Sequence, residues 1–265
     1  NPSEYEIIIK KSQTLLDESE KNKKIINSQI SYPLSIFIVG MPRSGSTLVE
    51  SILSLNKEVK DLGEINILEK AYIKNRKLHK KLSLTDSYLQ ELRSLSKKIS
   101  ISSNKWLYNY QYSGIIANEI SNCRIIHCFR NPLDNILSIN RANFDHGNYY
   151  SSSLIDSTRI YLDQEKIMTI YKNKFRTKIY DLNYDLLVKN PNKEIKSLIN
   201  WLGWEWNQSY LKPHLNKRPV YTASDIQIRS PINSNSICGW KHYKDMLKPS
   251  IEILSQNEKY RDLIT

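Results

Sequence analysis

"SIFIVGMPRSGSTLVESIL", residues 35–53, joins a hydrophobic run to an apolar-periodic stretch through a turn that contains two glycines. The run from Leu34 to Val39 predicts a buried strand, and the pattern from Ser46 to Leu55 predicts a helix. Gly40 and Gly45 let the backbone between them curl, so that successive N–H groups and the helix start converge on an anion. Ser46 and Thr47 add hydroxyl donors. Loops that hold nucleoside triphosphates read G-x-x-x-x-G-K-[ST], with a lysine that reaches the outer phosphates. Here Ser46 stands where that lysine belongs. The loop's one cation is Arg43, whose fork suits a charged tetrahedral group. The competing reading is a plain glycine turn that caps a helix.

The rest of the chain sets bounds on that loop. At 265 residues the chain can bury one sizeable core, and its 40% hydrophobic and 25% charged residues are ordinary for a soluble globular protein. No apolar run approaches the roughly 20 residues of a membrane helix, and no signal peptide is recognised. Cys123, Cys128 and Cys238 make no disulfide framework and no zinc spacing. Cys123 and Cys128 lie five positions apart in one predicted strand, so they face opposite sides as reduced core thiols. A cytoplasmic protein is expected. A formal charge of +12 favours anionic partners, although a solvated lysine-rich surface explains much of it equally well.

Residues 1–30 read as a polar helical segment, ended by Pro33, and residues 31–265 as the main domain. "EVKDLGE" predicts a short strand ending at Gly63-Glu64, residues 65–100 a charged helical stretch, and "KWLYNY" (105–110) an extended piece. "CRIIHCF" (123–129) is a buried strand, after which Asn131 caps and Pro132 starts a helix over 132–142. A strand near 178–182 follows, then a helix, and "WLGWEW" (201–206) ends a further helix. Residues 216–242 look irregular, and residues 143–158 read as loop. Strands alternating with helices predict an α/β, P-loop-like three-layer fold around a mainly parallel sheet. In such sheets ligands bind beyond the carboxyl ends of the strands. The glycine loop, Glu64 and Arg130 all fall there.

"GMPRSGSTLVESIL" resembles the 5′-phosphosulfate loop of sulfotransferases, whose donor is 3′-phosphoadenosine 5′-phosphosulfate (PAPS). Within that superfamily it is most similar to tyrosylprotein sulfotransferases and to bacterial enzymes associated with tetratricopeptide repeats. The resemblance implies that Arg43, Ser44, Gly45, Ser46 and Thr47 hold the phosphosulfate. "RIIHCFRNPLDNILS" is similar to the family's R-[DN]-P-x-x-x-x-x-S segment, which implies that Arg130 and Ser138 bind the 3′-phosphate. A salt bridge from Arg130 to Asp134 is the structural alternative. Glu64 in "LGE" matches the glutamate that serves the family as general base, where a helix-dipole role would otherwise be preferred. In "NKWLYN", Lys105 persists but no histidine follows, unlike the K-x-H site of small-molecule sulfotransferases. The resemblance implies that Lys105 stabilises charge on the bridging oxygen, with Asn109 a lesser candidate. Tyr184 matches a nucleotide-contacting tyrosine. "TASDIQIRSPINSNSICGWKHY" matches the family's carboxyl-terminal region, with Ser224 near the phosphosulfate and Gln227, Pro231, Asn233 and Trp240 in register. The basic residue expected before that tryptophan is Gly239 here, with Arg229 or Lys241 as substitutes.

The function implied is sulfuryl transfer without metal to a hydroxyl acceptor: an acidic tyrosine peptide, a glycan or a small alcohol. Two other classes compete. A P-loop kinase or NTPase conflicts with the missing lysine, and a basic nucleic-acid-binding protein lacks any recognised module.

Overall fold

A computed structural model of the chain describes residues 3–21, 32–78, 82–96, 98–142, 144, 147–216, 218 and 228–262. Its frame is one sheet of five strands: β1 (Leu34–Gly40), β2 (Val59–Asp61), β3 (Ile101–Asn104), β4 (Cys123–Phe129) and β5 (Ile179–Asn183). The order across the sheet is β2-β3-β1-β4-β5, and every pairing is parallel. From β1 the chain crosses to the edge at β2, returns to place β3 between the two, and then runs to the other side of β1 as β4 and β5. That reversal opens a crevice at the carboxyl ends of the central strands, where α/β sheets bind ligands.

The helices flank both faces: α1 (Glu4–Lys21), α2 (Ser46–Leu53), α3 (Ile67–Lys77), α4 (Leu84–Leu95), α5 (Ser113–Glu119), α6 (Pro132–Asn140), α7 (Leu154–Lys174), α8 (Tyr184–Lys189) and α9 (Pro191–Trp201). Strand alternation divides the core. Phe37, Val39 and Ile125 pack with residues of α1, α3, α4, α5 and α7, while Ile36, Ile38 and Ile126 pack with α2, α8 and α9. Cys123 belongs to the first cluster and Cys128 to the second, as their odd spacing requires. Leu15 and Leu16 of α1 enter the same cluster as Phe37, and that helix packs on α5 and α7. Side chains start several helices, one of them as expected from sequence. Asn131 accepts from Leu133 N and Asp134 N at 3.0 and 3.2 Å, with Pro132 at the first helical position.

Three expectations need correction. "KWLYNY" is not extended: the strand is "ISSN" at Ile101–Asn104, and Leu107–Tyr112 form a 3₁₀ helix. Ser102, Ser103 and Asn104 are polar yet fully buried, because β3 is paired on both sides. The stretch 65–100 is two helices, the second started by Ser83, which accepts from Asp86 N at 3.0 Å. Residues 154–158 open the 21-residue α7, capped by Ser153, and are not loop. The first helix is described only to Lys21; the remainder of its expected span, to residue 30, lies outside the described residues. Among the described residues no helix is long and apolar enough to cross a membrane.

Candidate active site

The glycine loop has the geometry its residues dictate. At Gly40, φ is 138° and an added Cβ would lie 2.2 Å from the carbonyl oxygen of Cys128 on the neighbouring strand. At Gly45, φ is 89°, and no side chain caps the start of α2. Arg43 between them is held at φ 66°, a left-handed conformation that L-residues adopt at a cost of about 1–3 kcal/mol. Asn135 of α6 fixes the turn from outside, donating to Pro42 O at 2.9 Å. Ser44 is 1% exposed and its Oγ has no hydrogen-bond partner. An uncapped helix start beside an orphaned buried hydroxyl fits a tetrahedral anion.

A second set of donors meets this loop across a cavity of about 440 Å³. Arg43, Thr47, Arg130, Ser138, Tyr184 and Ser236 line its polar part, and Leu48, Val188, Ile228 and Ile232 its apolar part. Arg43 Nε donates to Ser138 Oγ at 3.1 Å, so the two predicted phosphate sites are in contact. Burial, and then the like charge of Arg130, hold the Arg43 guanidinium below its ordinary pKa. A buried and a half-buried cation that oppose each other in this way suit an anion between them.

Arg130 sits just beyond β4, 7% exposed, with its guanidinium 5.0 Å from the centre of the Tyr184 ring. It donates from Nη2 to Ser236 O at 2.5 Å, while its buried Nε has no hydrogen-bond partner. Asp134 lies 3.8 Å away, but its carboxylate accepts from Cys238 N at 2.7 Å and Trp240 N at 2.9 Å. Asp134 therefore chiefly ties the carboxyl-terminal segment to α6. Ser236 was missed in the sequence. It also meets the Tyr184 hydroxyl, Oγ to OH at 2.9 Å, and the only available hint was its place in the family-like segment 222–243. Ser224 and Gln227, expected in that segment, lie outside the described residues. Arg229 donates to Asn216 O and Arg218 O, both at 2.9 Å, and Lys241 stacks on Trp240 at 5.8 Å.

Glu64 and Lys105 are brought together on the other side of the loop. Lys105 Nζ donates to Glu64 Oε1. The lysine side chain is 0% exposed and that of Glu64 44%, so the carboxylate forms the solvent-facing end of the pair. Lys105 N also donates to Gly63 O at 3.0 Å, and Asn104 Nδ2 to Ile65 O at 2.8 Å, which pins the backbone on both sides of Glu64. Asn109 donates to Asn104 Oδ1 at 2.8 Å. Its observed contact is with the support of the Glu64 loop.

These residues line up in sheet order. Glu64 follows β2, Lys105 follows β3, Arg43 follows β1, Arg130 follows β4, and Tyr184 follows β5. Across four strand spacings of about 4.8 Å they span roughly 19 Å, with carboxylate and ammonium at one end and the cavity at the other. Among the described residues no cluster of three or more His, Cys, Asp or Glu could hold a metal ion.

The sequence profile described as "Sulfotransferase family" matches residues 33–208. An uncharacterized protein of Aquifex aeolicus (strain VF5) is 31% identical over 261 residues. That match covers 86% of this chain and 34% of the relative, so the chain spans about a third of the length of the curated relative it matches. Among solved structures, the sulfotransferase domain of the curacin biosynthetic pathway superposes with a TM-score of 0.60 at 15% identity, covering 85% of this chain and 99% of that one. The sulfotransferase domain of the Synechococcus PCC 7002 olefin synthase gives 0.59 at 15%, covering 87% and 98%. Mouse sulfotransferase SULT7A1, complexed with PAP, gives 0.53 at 14%, covering 96% and 94%. At these identities the structural likeness shows a shared fold.

Proposed function

The chain belongs to the sulfotransferase family, and from that premise we propose that it moves a sulfuryl group from PAPS to a hydroxyl acceptor. The observation that carries this reading is the sheet-ordered row from Glu64 to Tyr184. It sets a carboxylate and an ammonium beside an anion loop, and a second cation across a nucleotide-sized cavity. That the mouse relative is complexed with PAP supports the choice of donor. We assign the transfer to residues 31–265, with residues 1–30 a separate segment whose helix α1 is docked through Leu15 and Leu16.

On this reading the donor's 5′ end lies in the loop of Arg43 to Thr47 and its 3′-phosphate between Arg130 and Ser138. Tyr184 and the apolar wall of Leu48, Val188 and Ile232 take the nucleoside. Glu64 accepts the proton from the acceptor hydroxyl, whose oxygen attacks sulfur as the bond from sulfur to the bridging oxygen breaks. Lys105, Arg43 and the N–H groups at the start of α2 meet the negative charge that develops on the departing phosphate. The ion pair between Lys105 and Glu64 keeps base and cation within one group's reach of each other before substrates arrive.

The preferred acceptor is tyrosine in an acidic peptide, with a carbohydrate or small alcohol second. The use of glutamate rather than histidine and the net charge of +12 support that order. Calorimetric titration with adenosine 3′,5′-bisphosphate beside ATP and magnesium tests the donor: only the bisphosphate should bind. Radiolabelled PAPS offered to acidic tyrosine peptides and to glycans tests the acceptor, and labelling of glycans alone refutes the peptide preference.

A further inference from the structure

Glu50 lies on α2, one turn past Ser46, and is 1% exposed. A carboxylate that deep is rare unless it is paired, and this one faces charges from three other elements. Lys105, beyond β3, places Nζ 3.8 Å from Glu50 Oε2. Arg218 donates from Nη2 to the same oxygen at 2.9 Å and to Ser51 Oγ at 3.3 Å. Arg218 Nη1 pairs with Asp61 at the end of β2. Five groups thus alternate in sign: Glu64, Lys105, Glu50, Arg218 and Asp61. Glu50 Oε1, however, has no hydrogen-bond partner. A buried oxygen left without a partner in so dense a charge network calls for an explanation.

The carboxylate as a whole bears on Lys105, which lies against its other oxygen. Its ammonium is fully buried between two carboxylates, of which Glu64 is the half-exposed one. Without Glu50, the attraction on Lys105 from these carboxylates would point only outward. We infer that Glu50 is a positioning residue: it holds the Lys105 ammonium against the anion loop and ties Arg218 to the same helix. The consequence for turnover rests on the sulfotransferase reading, whereas the positioning itself does not. Burial pushes the Glu50 carboxyl up to about 7 against the pull of Lys105 and Arg218, with Asp61 adding to the rise. The charge that steadies Lys105 is therefore set near neutrality, and its titration is felt at the ammonium.

The test uses the whole chain labelled with ¹⁵N-lysine and the side-chain ammonium spectrum, in which buried, ion-paired groups exchange slowly enough to be seen. The Lys105 signal is assigned by its loss in Lys105→Arg. In the parent it should shift with a midpoint near 7, following Glu50. In Glu50→Gln that midpoint should vanish and the signal should weaken several-fold through faster exchange. Glu50→Asp should keep the signal and move the midpoint, and it carries the same test if the glutamine variant does not fold. A Lys105 signal unchanged in position, exchange and titration overturns the inference. With an accepted substrate, Glu50→Gln should lower kcat by about 10- to 100-fold, the scale of a small misplacement, with donor KM within about two-fold. An unchanged kcat also overturns it. A parent chain that transfers no sulfate refutes the sulfotransferase reading instead, and the spectrum still decides the role of Glu50.

Discussion

The ring of Tyr184, at the end of β5, covers Gly45 so closely that a Cβ there would lie 2.1 Å from ring carbon Cδ2. Gly45 is also held at φ 89°. Gly45→Ala should therefore destabilise the fold by about 1–3 kcal/mol, the cost of a side chain in a left-handed conformation, with steric strain added. Chemical denaturation measures the loss, and adding Tyr184→Ala should restore the steric part alone. A Gly45→Ala chain as stable as the parent would contradict the close packing.

Arg130 has a free-standing consequence for ligand binding. Arg130→Ala should weaken adenosine 3′,5′-bisphosphate by about 1.5–3 kcal/mol, the scale of a hydrogen bond to a charged group. Adenosine 5′-monophosphate, which lacks the 3′-phosphate, should bind both chains alike. Calorimetry with the two nucleotides reads the difference directly. Equal losses for both would move the 3′-phosphate elsewhere.

Glu64→Gln separates chemistry from binding. Turnover should fall by roughly 10²–10⁴, the usual contribution of a general base, while affinity for the bisphosphate stays near that of the parent. Turnover within a few-fold of the parent would leave Glu64 with its ion pair to Lys105 and no proton to move.

Glu50 also predicts a pH dependence of stability. Its folded-state pKa is raised, from 4.5 to about 7, so the stability it contributes is full below pH 4.5 and is lost as pH rises through 7. The total is about 3 kcal/mol for a shift of that size in a fully buried group. Urea denaturation from pH 4 to 8 should show that decline in the parent and a flatter curve in Glu50→Gln. Parallel curves would argue against the raised carboxyl.

The thiols divide by place. Cys123 and Cys128 are buried, and burial pushes both thiols up, whereas Cys238 is exposed. A thiol reagent should modify Cys238 rapidly in the native chain and the other two only on unfolding. Fast modification of all three would place the strand β4 thiols at the surface.

What could be read from the chain beforehand follows from where the information sits. The turn from Gly40 to Thr47, the strand "CRIIHCF" and the cap at Asn131 are local, and each obeys a rule of backbone geometry or hydropathy. Glu64, Lys105, Arg130 and Ser138 could be nominated because their spacing matches the motifs, and the fold puts each just beyond a strand end or on the helix that follows one. β3 was not, because Ser102 and Ser103 are made interior by strands that are distant in sequence. Glu50, Arg218 and Ser236 escaped for the same reason. Their contacts join residues up to 168 positions apart, as between Glu50 and Arg218, and no periodicity records such a meeting.

The strand order carries one more implication. Residues proposed for the nucleotide leave β4 and β5, the proposed base Glu64 and its partner Lys105 leave β2 and β3, and the anion loop at β1 stands between them. The two edges of the sheet are reached by separate stretches of chain. Loops beyond β2 and β3 can thus be exchanged for those of a relative with a different acceptor while the nucleotide edge is left as it is. On the proposed assignment the fold is a fixed socket with a replaceable tool head, and a chimaera that exchanges the chain between α2 and β4 tests whether the acceptor changes with it.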